Sequence, residues 1–209
     1  MILYYTIERE SEITQVIERS KFIACAAPVL SREEAEAFFA GRKALHKTAT
    51  HNVPAFVIGD KSQLQWASDD GEPQGTSGAP IVQMLTSEGV TNVAVMVTRY
   101  FGGIKLGTGG LVRAYTGAAR EALHKGGVCG AAEQMRIAFR LDYAFHGKLL
   151  NLAQNGLFSL ANEEFTDKVT VELLTDPENE GEVMTLLSNL TSGTGELLSK
   201  HDELTKRRI

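Results

Sequence analysis

The segment NVAVMVT, Asn92 to Thr98, is the sequence feature that most constrains the fold of this chain. Every residue from Val93 to Val97 is apolar, whereas a strand with one face in water alternates apolar and polar residues. A continuous apolar run of this length is typical of a strand that is buried on both faces. The segment is therefore predicted to be a central strand.

A glycine-rich connection follows this strand, with the sequence TRYFGGIKLGTGGLVRAY from Thr98 to Tyr115. A strand that leads through glycines into a helix N-terminus directs free backbone N–H groups and the positive end of the helix dipole outward, which favours anion binding. Neither common phosphate motif is complete, because Thr108 stands where a P-loop has lysine and Val112 stands where a dinucleotide-binding loop has Gly or Ala. Two interpretations stay open: an anion site, or glycines that only permit positive φ and close packing.

The charge distribution favours the first interpretation. The chain has 209 residues and a formal net charge of −5, and 43% of its residues are hydrophobic, as in a globular protein. Within it, the basic residues from Arg99 to Lys125 face only one acidic residue, Glu121. Arg99 and Lys105 are predicted to contact phosphate, and Tyr100 or Trp66 either stacks on a base or anchors the packing. The candidate phosphate- or nucleic-acid-binding residues are Arg99, Tyr100, Gly102, Gly103, Lys105, Gly107, Thr108, Gly109, Gly110 and Arg113.

An acidic loop, SDDGEPQGTSGAP from Ser68 to Pro80, precedes the central strand. Its carboxylates have three interpretations: a solvated turn, a Mg²⁺ or general-base cluster, or an internal partner for Arg99, Lys105 or Arg113. The prediction assigns no catalytic residue, no metal and no cofactor. The loop residues singled out are Asp69, Asp70, Gly71, Glu72, Pro73, Gly75 and Thr76.

Other reactive residues give weaker signals. His46 and His51 lie five residues apart, which is not the spacing of a helical metal pair, and no catalytic role is favoured for them. Ser77 lacks the G-x-S-x-G pattern of a hydrolase nucleophile. Cys25 and Cys129 lie among small apolar residues without CxxC spacing, so buried free thiols are expected.

The pattern of elements predicts an α+β protein with two domains. A capping box at Ser31 and Glu34 begins one helix, and a longer helix is predicted from about Thr108 to Lys125. From Glu133 onward the elements follow the order βαββαβ of a ferredoxin-like module. The predicted domains are residues 1–130 and 131–209.

The N-terminal sequence MILYYTIERE has one short apolar patch followed by charge, and no apolar run approaches the length of a membrane span. The expectation is a cytoplasmic protein without a membrane partner.

The two loops together closely resemble the signature of the IMPACT/YigZ family. The resemblance is carried by SDDGEPQGTSGAPI, by NVAVMVTRYFGGIKLGTGGLVRAYTGAA and by the preceding ATHNVPAFVIG, within a match from about Ile13 to Ala122. Val53 stands where a cysteine is common, and Ser77 and Ala79 stand where Ala and a basic residue are common. The missing basic residue makes the acidic loop less cationic than in typical members.

The resemblance implies a fold for each domain. The first is expected to resemble the second domain of a small-subunit ribosomal protein and domain IV of elongation factor G, with a mixed sheet and two helices on one side. The second is expected to resemble the last domain of elongation factor G. Both are two-layer α/β domains.

The resemblance also frames three functional hypotheses, because eukaryotic relatives regulate translation by blocking activation of an initiation-factor kinase through protein contacts. The leading hypothesis is a non-enzymatic binding or regulatory protein near translation that contacts RNA, the ribosome or a translation regulator. One alternative is an enzyme acting on a phosphorylated or nucleotide ligand through the DDGEP carboxylates and a divalent metal. The other is a purely protein–protein regulator.

Overall fold

The structure, a computed structural model, describes residues 2–208, without the side chain of residue 208. The chain divides into two compact units. The N-terminal unit comprises Leu3–Ala131 with residues 206–208, and the C-terminal unit comprises Ala132–Thr205 with Ile2. The prediction of two domains divided at residue 130 stays a prediction.

Residues 2–126 contain six strands and three helices in the order β1, β2, β3, α1, β4, β5, α2, β6, α3. Their bounds are β1 Ile2–Ile7, β2 Ser11–Ile17, β3 Ser20–Pro28, α1 Arg32–Leu45, β4 His51–Ile58, β5 Leu64–Ala67, α2 Gly78–Ser87, β6 Val93–Tyr100 and α3 Gly107–Gly126.

The predicted central strand is confirmed as β6, which lies in the middle of the sheet β2-β3-β6-β4-β5. Its side chains alternate between two cores. Val93, Val95 and Val97 belong to the core that includes residues of α2 and α3, whereas Ala94 and Met96 belong to the core that includes residues of α1. Both faces of the strand are covered, and this explains why all five positions are apolar.

The sheet differs from its expected form in one respect. The resemblance implied a mixed sheet, but each of its four strand pairs is antiparallel. Helices α2 and α3 share one face, as expected, and α1 covers part of the other. Antiparallel neighbours need only short connections, such as the turn at residues 18–19 between β2 and β3.

Helix α1 begins at the capping box that the sequence predicts. The Ser31 side chain accepts a hydrogen bond from the Glu34 backbone N–H at the start of α1, and the Glu34 carboxylate accepts one from Leu30. Helix α2 buries Ile81, Met84 and Leu85, which lie at helical spacing.

The C-terminal unit has the predicted βαββαβ order. Its elements are β7 Val128–Leu141, α4 Tyr143–Ala153, β8 Ser159–Phe165, β9 Val169–Thr175, a 3₁₀ turn Pro177–Asn179 that runs into α5 Glu180–Leu190, and β10 Glu196–Arg208. In its sheet β7, β9 and β8 are neighbours in that order, and β10 also pairs with β7. The ferredoxin-like topology, and with it the α+β class of the whole chain, is therefore confirmed.

Candidate anion-binding site

A buried ion pair connects the acidic loop to the end of β6. Arg99 Nη1 donates to Glu72 Oε1 at 2.7 Å, and the hydroxyl of Tyr115 on α3 donates to the same oxygen at 2.7 Å. Only 3% of the Glu72 side chain and 6% of the Arg99 side chain are exposed. Glu72 is therefore an internal partner for Arg99, which is one of the three interpretations that the sequence left open for the acidic loop.

The second carboxylate oxygen of Glu72 faces His51. The distance from Glu72 Oε2 to His51 Nε2 is 3.7 Å, too long for a hydrogen bond. His51 Nδ1 lies 2.7 Å from the Asp70 carbonyl oxygen. Strand register places His51 directly opposite Arg99, which is why these two residues meet at the same loop.

The neighbouring carboxylates stabilise the loop. Asp69 accepts hydrogen bonds from Ser77 Oγ and from the backbone N–H groups of Gly75, Ser77 and Gly78, at the start of α2. Burial alone would raise the pKa of Asp69, but these hydrogen bonds outweigh burial and hold the pKa below its ordinary value. Thr76 closes the turn through its hydroxyl, which donates to the Pro73 carbonyl at 2.6 Å.

Asp70 has a separate set of partners. Its Oδ2 accepts from the Asn52 backbone N–H at 2.6 Å, and its Oδ1 lies 3.9 Å from Lys43 Nζ. The adjacent Gly71 has a φ of +86°. The three carboxylates of the loop are thus directed to different partners, and no group of three His, Cys, Asp or Glu side chains in residues 2–208 is placed to hold a metal ion. The magnesium interpretation has no geometric support in that part of the chain.

The glycines of the connection have two distinct roles. A Cβ at Gly102 would lie 2.0 Å from the Arg19 carbonyl oxygen, so the backbones of the two segments approach too closely for any side chain. Gly107, the first residue of α3, has a φ of +71°, which favours glycine, as does the +88° of Gly103. Gly109 and Gly110 lie in the first turn of α3.

A pocket of about 470 Å³ opens between the acidic loop and the N-terminus of α3. We call it the α3 pocket. The buried Glu72 and Arg99 line it on one side, and Lys105 and Thr108 line it on the other. The full lining comprises residues 50–51, 71–73, 99, 101, 105–108 and 111.

Two exposed cations lie at or beside the α3 pocket. Lys105 and Arg113 are exposed, and neither forms an ion pair with another described residue. Helix α3 has no acidic residue in its first turn and no side-chain cap at Leu106. Arg113 lies near the same helix end, since Arg113 Nη1 would be 3.6 Å from a Cβ at Gly109. Arg113 lines a second cavity, which also includes Lys105.

The remaining basic residues of this segment have partners. Arg120 pairs with Glu88 at 2.5 Å, and Lys125 donates to the Glu12 carbonyl at 2.9 Å. Arg99, which the sequence singled out as a phosphate contact, is 5% exposed and is held by Glu72. The exposed cations at the α3 pocket are therefore Lys105 and, beside it, Arg113.

The contacts of Tyr100 and Trp66 agree with the packing interpretation, one of the two that the sequence left open. Tyr100 bonds His46 Nδ1 at 3.0 Å, and Trp66 packs on Phe56 in the α1 core, so both anchor the packing. The aromatic residue of the pocket is Phe101, which is 47% exposed and lies under the Arg99 guanidinium. Sequence reasoning did not single out Phe101, and it gave His51 no role. A prediction of the register between β4 and β6 would have placed His51 opposite Arg99 and so identified His51 as a residue of the site.

Within residues 2–208, no helix combines the length and the hydropathy that a membrane span requires. The two cysteines are buried and free, as predicted.

Comparison with known proteins identifies the family. The Impact N-terminal domain model matches residues 18–123, which include the acidic loop and the α3 pocket, and a Domain of unknown function (DUF1949) model matches residues 139–194. The chain belongs to the IMPACT family.

Similar proteins come from bacteria and mammals. The chain is 36% identical to the IMPACT family member YvyE of Bacillus subtilis over 202 residues, which cover 97% of this chain and 92% of the relative. It is 40% identical to an IMPACT family member of Thermus thermophilus, with 85% of this chain and 97% of that relative covered. Protein IMPACT of Mus musculus is 38% identical over 43% of this chain and 29% of its own length.

A solved structure matches nearly the whole chain. It is described as the crystal structure of a hypothetical protein, and it matches with a TM-score of 0.60 and 30% identity over 94% of this chain and 96% of its own.

Proposed function

We propose that this protein is a non-enzymatic RNA-binding module that acts near translation and that the α3 pocket receives a phosphate group of the RNA. The observation that carries the proposal is the combination of Lys105, Arg113 and the uncapped N-terminus of α3 at one place, where neither cation forms an ion pair with another described residue. The setting in translation rests on the resemblance to the IMPACT family, whose eukaryotic members act there.

The N-terminus of α3 attracts an anion for two reasons. Backbone N–H groups in the first turn of a helix have no intrahelical acceptor, and the helix dipole places a partial positive charge at the same end. Two lysine or arginine side chains beside that end add to the positive potential. A phosphate group supplies acceptors for the N–H groups and the missing negative charge, and such sites recur at helix N-termini.

Arg99 has a different role from the one predicted. Because Glu72 already neutralises it, Arg99 fixes the position of the acidic loop against α3 instead of serving as a free phosphate contact. Phe101 offers an exposed ring on which a base can stack, and such stacking contributes about 1–3 kcal/mol per base.

The proposal is tested by measuring RNA binding as a function of salt. A short single-stranded RNA is titrated with the wild-type protein and with the Lys105→Ala/Arg113→Ala variant by fluorescence anisotropy at graded KCl concentrations. Each phosphate contact to single-stranded RNA contributes about −0.7 to the slope of log K against log [salt]. The double variant should therefore bind more weakly and lose about 0.7 units of slope, the contribution of the one phosphate that the α3 pocket receives.

The matched control removes two positive charges elsewhere. Lys61 and Lys148 are exposed and form no ion pair with another described residue. Lys61→Ala/Lys148→Ala changes the net charge equally and should leave the affinity and slope close to wild type. The proposal is wrong if wild-type binding is absent or independent of salt, or if both double variants lose affinity equally.

A further inference from the structure

Two exposed lysines outside the α3 pocket lie at the same end of the sheet that contains β6. Lys21 is the second residue of β3, and strand register places it directly opposite Tyr100, the last residue of β6. Lys47 lies two residues beyond the end of α1. It follows His46, whose Nδ1 lies 3.0 Å from the Tyr100 hydroxyl oxygen. Both lysines are therefore neighbours of the segment that leads from β6 into the glycine-rich connection.

Hydrogen bonds join this surface to the α3 pocket. The Thr50 backbone N–H donates to the Arg99 carbonyl at 2.9 Å, and the Phe101 backbone N–H donates to Thr50 Oγ1 at 3.0 Å. Thr50 and Phe101 both line the α3 pocket. Since an extended chain spans at most about 3.6 Å per residue, the Cα atoms of Lys47 and Thr50 lie within about 11 Å of each other. The surface with the lysines is thus continuous with the pocket.

Both lysines are available to an anion. Neither forms an ion pair or a side-chain hydrogen bond with another described residue. Two neighbouring cations differ in this respect: Lys43 Nζ lies 3.9 Å from Asp70 Oδ1, and Arg19 follows the exposed Glu18 in the turn between β2 and β3. An adjacent carboxylate weakens the attraction of a cation for phosphate, so we restrict the contacts to the two lysines.

The lysines and the α3 pocket lie on opposite faces of the sheet. Successive side chains of a strand point to opposite faces. Phe22 belongs to the core that includes residues of α2 and α3, so its neighbour Lys21 lies on the α1 face, and Lys47 follows α1 itself. Phe101 comes directly after β6, is 47% exposed and lines the α3 pocket. A ligand that reaches from the pocket to the lysines therefore passes over this end of the sheet, at Phe101.

We propose that a single-stranded RNA crosses the end of the sheet, with one phosphate in the α3 pocket, a base stacked on Phe101 and two further phosphates on Lys21 and Lys47. A single strand bends and has unpaired bases that stack on aromatic rings, and a cationic surface with an exposed aromatic ring is typical of proteins that bind single strands. The inference rests on the proposed phosphate site and adds the surface over which the strand continues.

The salt dependence of binding tests the lysines. A fluorescein-labelled RNA of about ten nucleotides, within the usual site sizes for single strands, is titrated at graded KCl concentrations by fluorescence anisotropy. The wild-type slope of log K against log [salt] should be at least about 2.1 in magnitude, because each of three phosphate contacts contributes about 0.7. Lys21→Ala/Lys47→Ala should bind several-fold more weakly and lose about 1.4 units of slope.

Two control variants separate a phosphate contact from other effects of the substitutions. Lys61→Ala/Lys148→Ala removes the same charge elsewhere and should keep the wild-type slope. Lys21→Arg/Lys47→Arg retains both positive charges and should keep it as well, whereas a purely structural role of the lysine side chains would not be restored by arginine. Trp66 fluorescence verifies that the N-terminal unit of each variant is folded.

A third variant tests the crossing point. Phe101→Leu should weaken binding about fivefold or more, because a base loses its stacking partner. The salt slope should stay at the wild-type value, since no phosphate contact is removed. Unchanged affinity of Phe101→Leu would show that the strand does not cross the sheet at this residue.

The two proposals fail in different ways. A wild-type slope near 0.7, or equal slopes for Lys21→Ala/Lys47→Ala and its charge control, would overturn the extended surface and leave the phosphate site standing. Absent or salt-independent binding of RNA to the wild type would overturn the proposed function itself. The wild-type slope requires no variant, so it decides the question even if a substitution disturbs folding.

Discussion

Replacing Glu72 with alanine is the most informative test of how the acidic loop is held. The change removes the acceptor of two hydrogen bonds, from Arg99 and Tyr115, both at 2.7 Å. It leaves a guanidinium that is 94% buried with one remaining hydrogen bond, from Arg99 Nη2 to Ser20 Oγ at 3.3 Å. Breaking a buried ion pair on one side typically costs about 3–5 kcal/mol, because an unpaired charge stays behind. We expect a loss of that size in the free energy of unfolding.

The assay follows Trp66 fluorescence during urea unfolding. Trp66 is the only tryptophan of the chain, and it lies on β5, so its signal reports on the N-terminal unit separately from the C-terminal unit. This choice matters because a chain with two units does not have to unfold in one step.

Two further variants complete the design. Glu88→Ala removes one partner of the more exposed pair with Arg120, and it should cost no more than about 1 kcal/mol. Adding Arg99→Met to Glu72→Ala should restore at least about 1 kcal/mol of the lost free energy of unfolding, because the double variant no longer buries an unpaired charge. The ion pair does not hold the loop if Glu72→Ala lowers the free energy of unfolding no more than Glu88→Ala does. The same conclusion follows if adding Arg99→Met lowers the free energy of unfolding again by as much as Glu72→Ala did.

Four other substitutions have clear expectations in the same unfolding assay. Gly102→Ala should lower the free energy of unfolding by about 1–3 kcal/mol, because the new methyl group would meet the Arg19 backbone. Gly117→Ala, inside α3, should raise it by about 0.5–1 kcal/mol, because a Cβ at Gly117 meets nothing within 4 Å. Equal effects of the two substitutions would contradict the close approach of the Gly102 and Arg19 backbones. Asp69→Ala should destabilise by about 0.5–2 kcal/mol at pH 7 through loss of its bonds at the start of α2. The pKa of Asp69 is lower in the folded state than in the unfolded state. The stabilisation by ionised Asp69 is therefore complete at pH values above the unfolded-state pKa of about 3.9, and it is lost as the pH falls through the lower folded-state pKa. The wild-type advantage over Asp69→Ala should therefore shrink below about pH 4, and a constant difference would refute this assignment. Tyr115→Phe should lower the free energy of unfolding by about 1.5–3 kcal/mol, since Glu72 loses a charge-assisted hydrogen bond. An unchanged free energy of unfolding would show that the Tyr115 hydroxyl does not stabilise the fold.

Much of the fold follows from local sequence patterns. The uninterrupted apolar run of β6 predicts burial on both faces, and Ser31 with Glu34 marks the start of α1. The strict alternation after Glu133 predicts β7. These features depend on periodicity and on neighbours within a few residues, which the sequence displays directly. The short strands β1 and β5 lack such a pattern and were not predicted.

The sequence by itself determined that a glycine-rich, basic connection precedes a helix and that an acidic loop accompanies it. It did not determine which cation the acidic loop neutralises, because that depends on strand register: Arg99 lies on the same face of β6 as Val93, Val95 and Val97, opposite His51 and beneath α3. Only the tertiary structure showed that Glu72 pairs with Arg99, while Lys105 and Arg113 form no ion pair with another described residue. Partner choice among charged groups depends on distances between segments far apart in the chain, and those distances exist only once the sheet has assembled.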